Sequence, residues 1–152
     1  MALDHGRKMM TARLVDSLYT EAMLLADEAR GYFDEIGLAD RESLSPFERV
    51  SYSCESLKVT TRLMHVIAWL LTRKAVAAGE IPEIDENGES RRLGAATESE
   101  ADVVAQLPVK AREIVEASID LYDRVARIDR DMVEPEPDSP ALGLIRKIER
   151  AL

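Results

Sequence analysis

From Val50 to Ala78, apolar or small residues recur at alternating steps of four and three without a break: Val50, Cys54, Leu57, Thr61, Met64, Ala68, Leu71, Ala75 and Ala78. Steps of three and four keep one face of a helix apolar, whereas a strand needs steps of two. The start is written in the chain as well. Ser45 can cap, Pro46 suits the first helical position, and Glu48 completes a Ser-x-x-Glu capping box. Gly79 closes the run. A helix over 45–78, about 33 residues at ~1.5 Å each, is a rod of roughly 50 Å. A rod that long is the spine of whatever the chain folds into.

Two further helices are predicted around it. Over 9–36, Leu14, Leu18, Ala22, Leu25, Ala29, Tyr32 and Ile36 form a stripe, and Gly37 supplies a stop. Over 108–132, Ala111, Ile114, Ser118, Leu121, Val125, Ile128 and Met132 do the same until Glu134-Pro135-Glu136-Pro137 interrupts. Between Glu80 and Asp102 stand eight acids against Arg91 and Arg92, with Pro82, Gly88 and Gly94 among them. That stretch, 80–102, reads as a mobile acidic loop. Ser139-Pro140 repeats the cap-plus-proline start ahead of a short amphipathic tail carrying Leu144, Ile145 and Ile148. The expected fold is all-α: an antiparallel three-helix bundle over 1–133 with a long central second helix, then a Pro/Glu linker and helical tail over 134–152.

The second helix carries more apolar surface than one bundle needs. Opposite the Val50–Ala78 seam runs a second one, Tyr52, Val59, Leu63, Val66 and Leu70, so the apolar arc spans about 200° where a little over 100° suffices. The surplus predicts a homodimer, with this second seam as core or dimer contact. On the narrow polar side sit Arg62, His65 and Arg73, with Trp69, the chain's one tryptophan, among them. Trp and Arg dominate binding hot spots, so these four are candidate partner-binding residues. The alternative is a ring stacked under Arg73 or tucked beneath a loop. Leu144, Ile145 and Ile148 form a second candidate docking segment.

Chemistry is harder to find. The 152 residues hold 20 Lys+Arg against 29 Asp+Glu, a net charge of −9. That balance argues against nucleic acid and against anionic membrane surfaces. Six residues (66–71) make the longest apolar run, far short of the ~20 that span a bilayer. A single Cys54 excludes an internal disulfide and suits a reducing cytoplasm. Neither histidine belongs to a ligand pair, and no metal site, cofactor site or catalytic residue is expected. One enzymatic alternative exists. Glu83-x-x-Glu86 and Glu113-x-x-Glu116 resemble the paired acids with which all-helical nucleotide pyrophosphatases hold magnesium, although no basic cluster follows to hold phosphates. A purely structural dimerisation module is a further alternative.

The run Glu55-Ser56-Leu57-Lys58-Val59-Thr60-Thr61-Arg62-Leu63-Met64, followed by Ala68-Trp69-Leu70-Leu71, Ala75-Val76 and Gly79-Glu80, resembles the RcdA family, the alphaproteobacterial regulator of CtrA degradation. Tyr19–Asp34 and Ser118–Asp129 resemble it too, so the likeness covers most of 14–133. The resemblance implies a dimeric three-helix bundle without enzymatic activity. It implies an adaptor that helps deliver cell-cycle regulators to the ClpXP protease, with a response-regulator-type priming protein and, in some cases, a cyclic-di-GMP-binding adaptor. To the cytoplasmic location expected from the residues, the resemblance adds recruitment to the cell pole alongside the protease. It assigns no individual side chain to a partner.

Overall fold

The computed structural model describes residues 2–82, 91–133 and 140–151. Glu83, Glu86 and the Glu134–Pro137 stop lie outside the described residues. Among those described, every regular element is helical: α1 (Ala2–Gly31), continued by a π-helical turn (Tyr32–Ile36), α2 (Leu38–Glu42), α3 (Pro46–Ala77), α4 (Ala101–Ala105), α5 (Val109–Val133) and α6 (Pro140–Ala151).

Local signals explain the ends of α3. The Ser45 hydroxyl accepts from the Glu48 amide at 3.3 Å, which satisfies one of the donors a helix start leaves over. At the other end Gly79 turns left-handed (φ 75°), and the Glu80 amide donates to the Ala75 carbonyl at 3.0 Å. Gly37 differs from expectation, because its backbone is ordinary (φ −79°). Its amide closes the π turn on the Tyr32 carbonyl at 2.6 Å. A Cβ at Gly37 would stand 2.7 Å from that same carbonyl oxygen and 2.5 Å from the Tyr52 hydroxyl, so what the position requires is space.

Helix directions follow from the side-chain pairs. Tyr52 of α3 packs on Phe33 just after α1, with ring centroids 5.4 Å apart, while Lys74 reaches back to Asp16 at 3.4 Å. These two helices are therefore antiparallel. Lys110 of α5 meets Glu28 and Arg124 meets Glu21, so α5 is antiparallel to α1 as well. From Arg62–Ser118 to Trp69–Asp129, contacts between α3 and α5 advance together. Those two helices are parallel. The three-helix bundle is all-α as expected, but it is not antiparallel throughout, because the connection after α3 returns along the bundle before α5 begins.

Along the bundle axis, Leu18, Ala22 and Leu25 of α1 meet Val59, Leu63, Val66 and Leu70 of α3 and Ile114, Leu121 and Val125 of α5. Each Leu, Ile or Val among them contributes about 1.5–3 kcal/mol on burial. Val15 points inward where Leu14 was expected to, and Leu14, Ile36 and Met132 are exposed. On α3 the structure decides between the two roles named for the second seam, core or dimer contact. Tyr52, Val59, Leu63, Val66 and Leu70 are all buried by α1 and α5 and belong to the core of one chain, leaving none of them for a dimer contact. The longer Val50–Ala78 seam, by contrast, faces outward.

Where α1 turns into α2, Tyr32 donates to Asp40 at 2.7 Å and Tyr52 donates to the Gly37 carbonyl at 3.3 Å. Burial, aided by the bond to Asp40, raises the Tyr32 phenol above its ordinary value; burial does the same for Tyr52 and Tyr122. A raised value in the fold means that the neutral form is favoured there. The stability these groups contribute is thus complete below about pH 10 and is lost as the pH rises further. Urea midpoints by circular dichroism should hold between pH 7 and 9 and fall by pH 11, with a smaller fall in Tyr52→Phe. A midpoint unchanged at pH 11 would contradict this.

Candidate protein-interaction surfaces

The polar side of α3 faces a strap rather than solvent. Residues 91–100 run from the end of α5 back towards α4, tied to side chains of α3 and α5, among them Arg62 of the predicted polar side. Arg62, 3% exposed, donates to the Ser118 hydroxyl at 3.2 Å, to the Thr97 carbonyl at 3.3 Å and to the Ser99 hydroxyl. Ser99 in turn donates to Glu55, which Lys58 also pairs at 3.1 Å. Burial lowers the Arg62 value while Glu55 opposes that shift, so the guanidinium is a charge held inside by its partners.

Trp69, 4% exposed, is likewise interior. Its indole N–H donates to Asp129 at 3.0 Å, and the same carboxylate accepts from Arg92 Nε at 3.0 Å and from the Leu93 amide at 3.3 Å. Arg73 lies over the indole ring at 5.8 Å, a cation–π distance. Tyr122 donates to the Gly94 carbonyl at 2.6 Å, and His65 is half-buried against Gly94. Of the four polar-side candidates, Arg62 and Trp69 are fully enclosed and Arg73 and His65 partly so. Trp69 has the arrangement named as the alternative, beneath a loop and beside Arg73. The described half of the acidic stretch is accordingly an anchored strap. No spacing rule announces this, since its anchors lie 28 to 44 residues from it in sequence.

Gly94 gives a direct check. A Cβ there would overlap the His65 imidazole, so Gly94→Ala should cost about 1–3 kcal/mol by overpacking. His65→Ala in the same chain should restore most of it. A Gly94→Ala variant with an unchanged urea midpoint would sink this account of the strap.

The opposite face of α3 is apolar. On α3, Phe47, Val50, Leu57, Met64 and Leu71 are exposed along one face, with Leu57 at 67% and Met64 at 65%. Cys54, Thr61 and Ala68 fill the steps between them and are exposed too. Beside this face a groove of about 280 Å³ opens between α1 and α3, lined by Phe33, Leu63, Met64 and Ile67 among others. A second apolar face belongs to α6, where Leu144, Ile145 and Ile148 are each at least half exposed. Glu113 and Glu116 lie on the exposed side of α5, and Lys110 is 4.0 Å from Glu113; their expected magnesium partners are outside the described residues. Among the described residues, no three His, Cys, Asp or Glu cluster to hold a metal ion, and no helix is long and apolar enough to cross a membrane.

The structure is thus an all-α bundle with buried polar ties beneath the strap and exposed apolar faces on α3 and α6. Residues 6–152 match the family described as a protein of unknown function, DUF1465, which is the RcdA family; the chain belongs to it. The fold is also similar to the crystal structure of RcdA from Caulobacter crescentus, at 36% identity and TM-score 0.66, over 80% of this chain and 93% of that one. No curated protein matches the sequence.

Proposed function

We propose that the chain is a non-enzymatic adaptor, acting as a cytoplasmic homodimer, that helps deliver cell-cycle regulatory substrates to the ClpXP protease. The observation that carries this reading is unpartnered apolar surface, on α3 and on α6, in a member of the RcdA family. An adaptor needs at least two such faces, because it must hold its own copy or the protease while it holds a substrate. The basic α6, with Lys147 and Arg150 exposed on it, offers a recruitment segment of the helix-in-groove kind. A receiver-domain protein that primes the protease, and the substrate, are the remaining partners this reading requires. Recruitment to the cell pole would follow the protease.

The test is reconstitution. Purified ClpXP, a receiver-domain priming protein and a CtrA-type substrate are mixed with and without the chain, and substrate loss is followed in time. Faster loss with the chain supports delivery, and Ile145→Glu with Ile148→Glu should abolish the gain while leaving the bundle's circular dichroism unchanged. An unchanged rate with the wild-type chain overturns the reading.

A further inference from the structure

Where α3 begins beside α4, an apolar hollow opens at an acidic edge. Leu44, Phe47 and Ser51 line one side of it and Val103, Gln106 and Leu107 the other, around a cavity of about 60 Å³. A single water-sized group needs about 15 Å³ of such space, so the hollow holds about four, the size of one Leu or Ile side chain. Its far wall is fixed by the core. Val104 and Leu107 are buried, which holds α4 in place and leaves Val103 half-buried and Gln106 exposed at the edge. Phe47 is 80% exposed although it lines the hollow. Aromatic side chains on a surface are enriched where partners bind.

The charges around the hollow have one sign. Glu48 lines it, and Asp102 precedes Val103 on α4. Glu98 and Glu100 flank Ser99, whose bonds with Glu55 and Arg62 fix that point of the strap to α3. All four acidic residues are exposed, and among the described residues none of the four has an ion pair. The first two bases of α3 are engaged elsewhere. Arg49 donates to the Arg41 and Glu42 carbonyls at 3.2 and 2.9 Å, and Lys58 pairs with Glu55.

We propose that this edge binds a short basic segment of a partner protein. One Leu, Ile or Met of that segment enters the hollow, and Arg or Lys on either side of it meets Glu48 and Asp102. The apolar insertion supplies most of the affinity, because each exposed ion pair contributes little alone. The carboxylates supply selection. Four of one sign attract a basic segment from a distance and repel an acidic one. The Phe47 ring offers a face on which a guanidinium can rest. This goes beyond the adaptor reading, to which it adds a site and a ligand chemistry.

The probe is a fluorescein-labelled peptide, Gly-Arg-Lys-Leu-Arg-Lys-Gly, titrated with the full chain and followed by anisotropy. Binding should saturate, and replacing the peptide's Leu by Ala should weaken it about tenfold. Glu48→Lys with Asp102→Lys should weaken it about tenfold as well. Phe47→Ala, which removes an exposed ring, should weaken it several-fold. Circular dichroism and urea midpoints of these variants should match wild type. No saturable change with the chain at about 1 mM would overturn the proposal. So would an Ala peptide that binds as well as the Leu one, since the contact would then be surface charge alone. Affinity unchanged in both chain variants would place the peptide elsewhere, and tighter binding of Gly-Glu-Asp-Leu-Glu-Asp-Gly would reverse the chemistry; either result overturns it. Self-association of the wild-type chain that Phe47→Ala abolishes, read by light scattering, would show a second copy filling the edge and would overturn it too. Because the titration contains neither protease nor substrate, its failure leaves the adaptor reading to the degradation assay.

Discussion

Arg62→Ala should lower the stability of the fold by about 3–5 kcal/mol, since hydrogen bonds from a charged donor contribute about 1.5–3 kcal/mol each and Arg62 makes three. The loss is more than three hydrogen bonds. Without the guanidinium the Glu55 carboxylate, 2% exposed, keeps only Lys58 and Ser99, and the Ser118 hydroxyl and Thr97 carbonyl lose their donor. Because Thr97 and Ser99 belong to the strap, the strap should loosen over α3 and α5 before the helices separate. Urea unfolding by circular dichroism measures the loss, and hydrogen exchange at 94–99 measures the loosening. The contrast is Arg62→Met with Glu55→Leu, which removes both charges and keeps apolar volume. That pair should recover part of the stability, since it fills the interior with apolar volume while Thr97 and Ser118 still lack the Arg62 donor. An Arg62→Ala midpoint within experimental error of wild type would show that the interior does not depend on this residue.

Trp69→Ala should cost a comparable amount, about 3–5 kcal/mol, for a large aromatic side chain removed from a closed interior. Trp69→Phe isolates the polar part of the effect. It keeps most of the ring and deletes the indole N–H, so Asp129 retains Arg92 and the Leu93 amide, and the expected loss falls to about 1–3 kcal/mol. Both variants should weaken partner capture only in proportion to the fraction unfolded. Trp69→Ala that stays fully folded yet loses a partner would return this residue to the surface role its sequence context suggested.

The contrast between those two roles shows where sequence reading ends. Helix boundaries near Pro46 and Gly79 were legible because capping, proline and glycine act within a few residues of the chain. Apolar periodicity was also legible, and it correctly showed α3 with two opposite apolar seams. Which seam faces inward was not. Periodicity reports that a face is apolar, and both faces of α3 satisfy it. The inward one is decided by α1 and α5, whose Leu25 and Leu121 lie far away in sequence. The polar side of α3 was misread for the same reason. Arg62 and Trp69 next to Arg73 resemble a binding surface until a strap more than twenty residues downstream covers them.

Helix direction belongs with these long-range decisions. A long polar stretch between two helices is compatible with a wandering loop or with a return along the bundle, and Asp129, Tyr122, Arg62 and Glu55, brought together, hold it to the second course. By itself, then, the sequence determined that this protein is helical, where α3 starts and stops, and that it has more apolar surface than three helices can cover. Those properties arise from interactions within a turn or two of the backbone. The tertiary structure alone decided which apolar seam is core, that α5 runs parallel to α3, and that the buried charges hold the strap. Each of these depends on contacts between groups tens of residues apart, whose meeting no local pattern records.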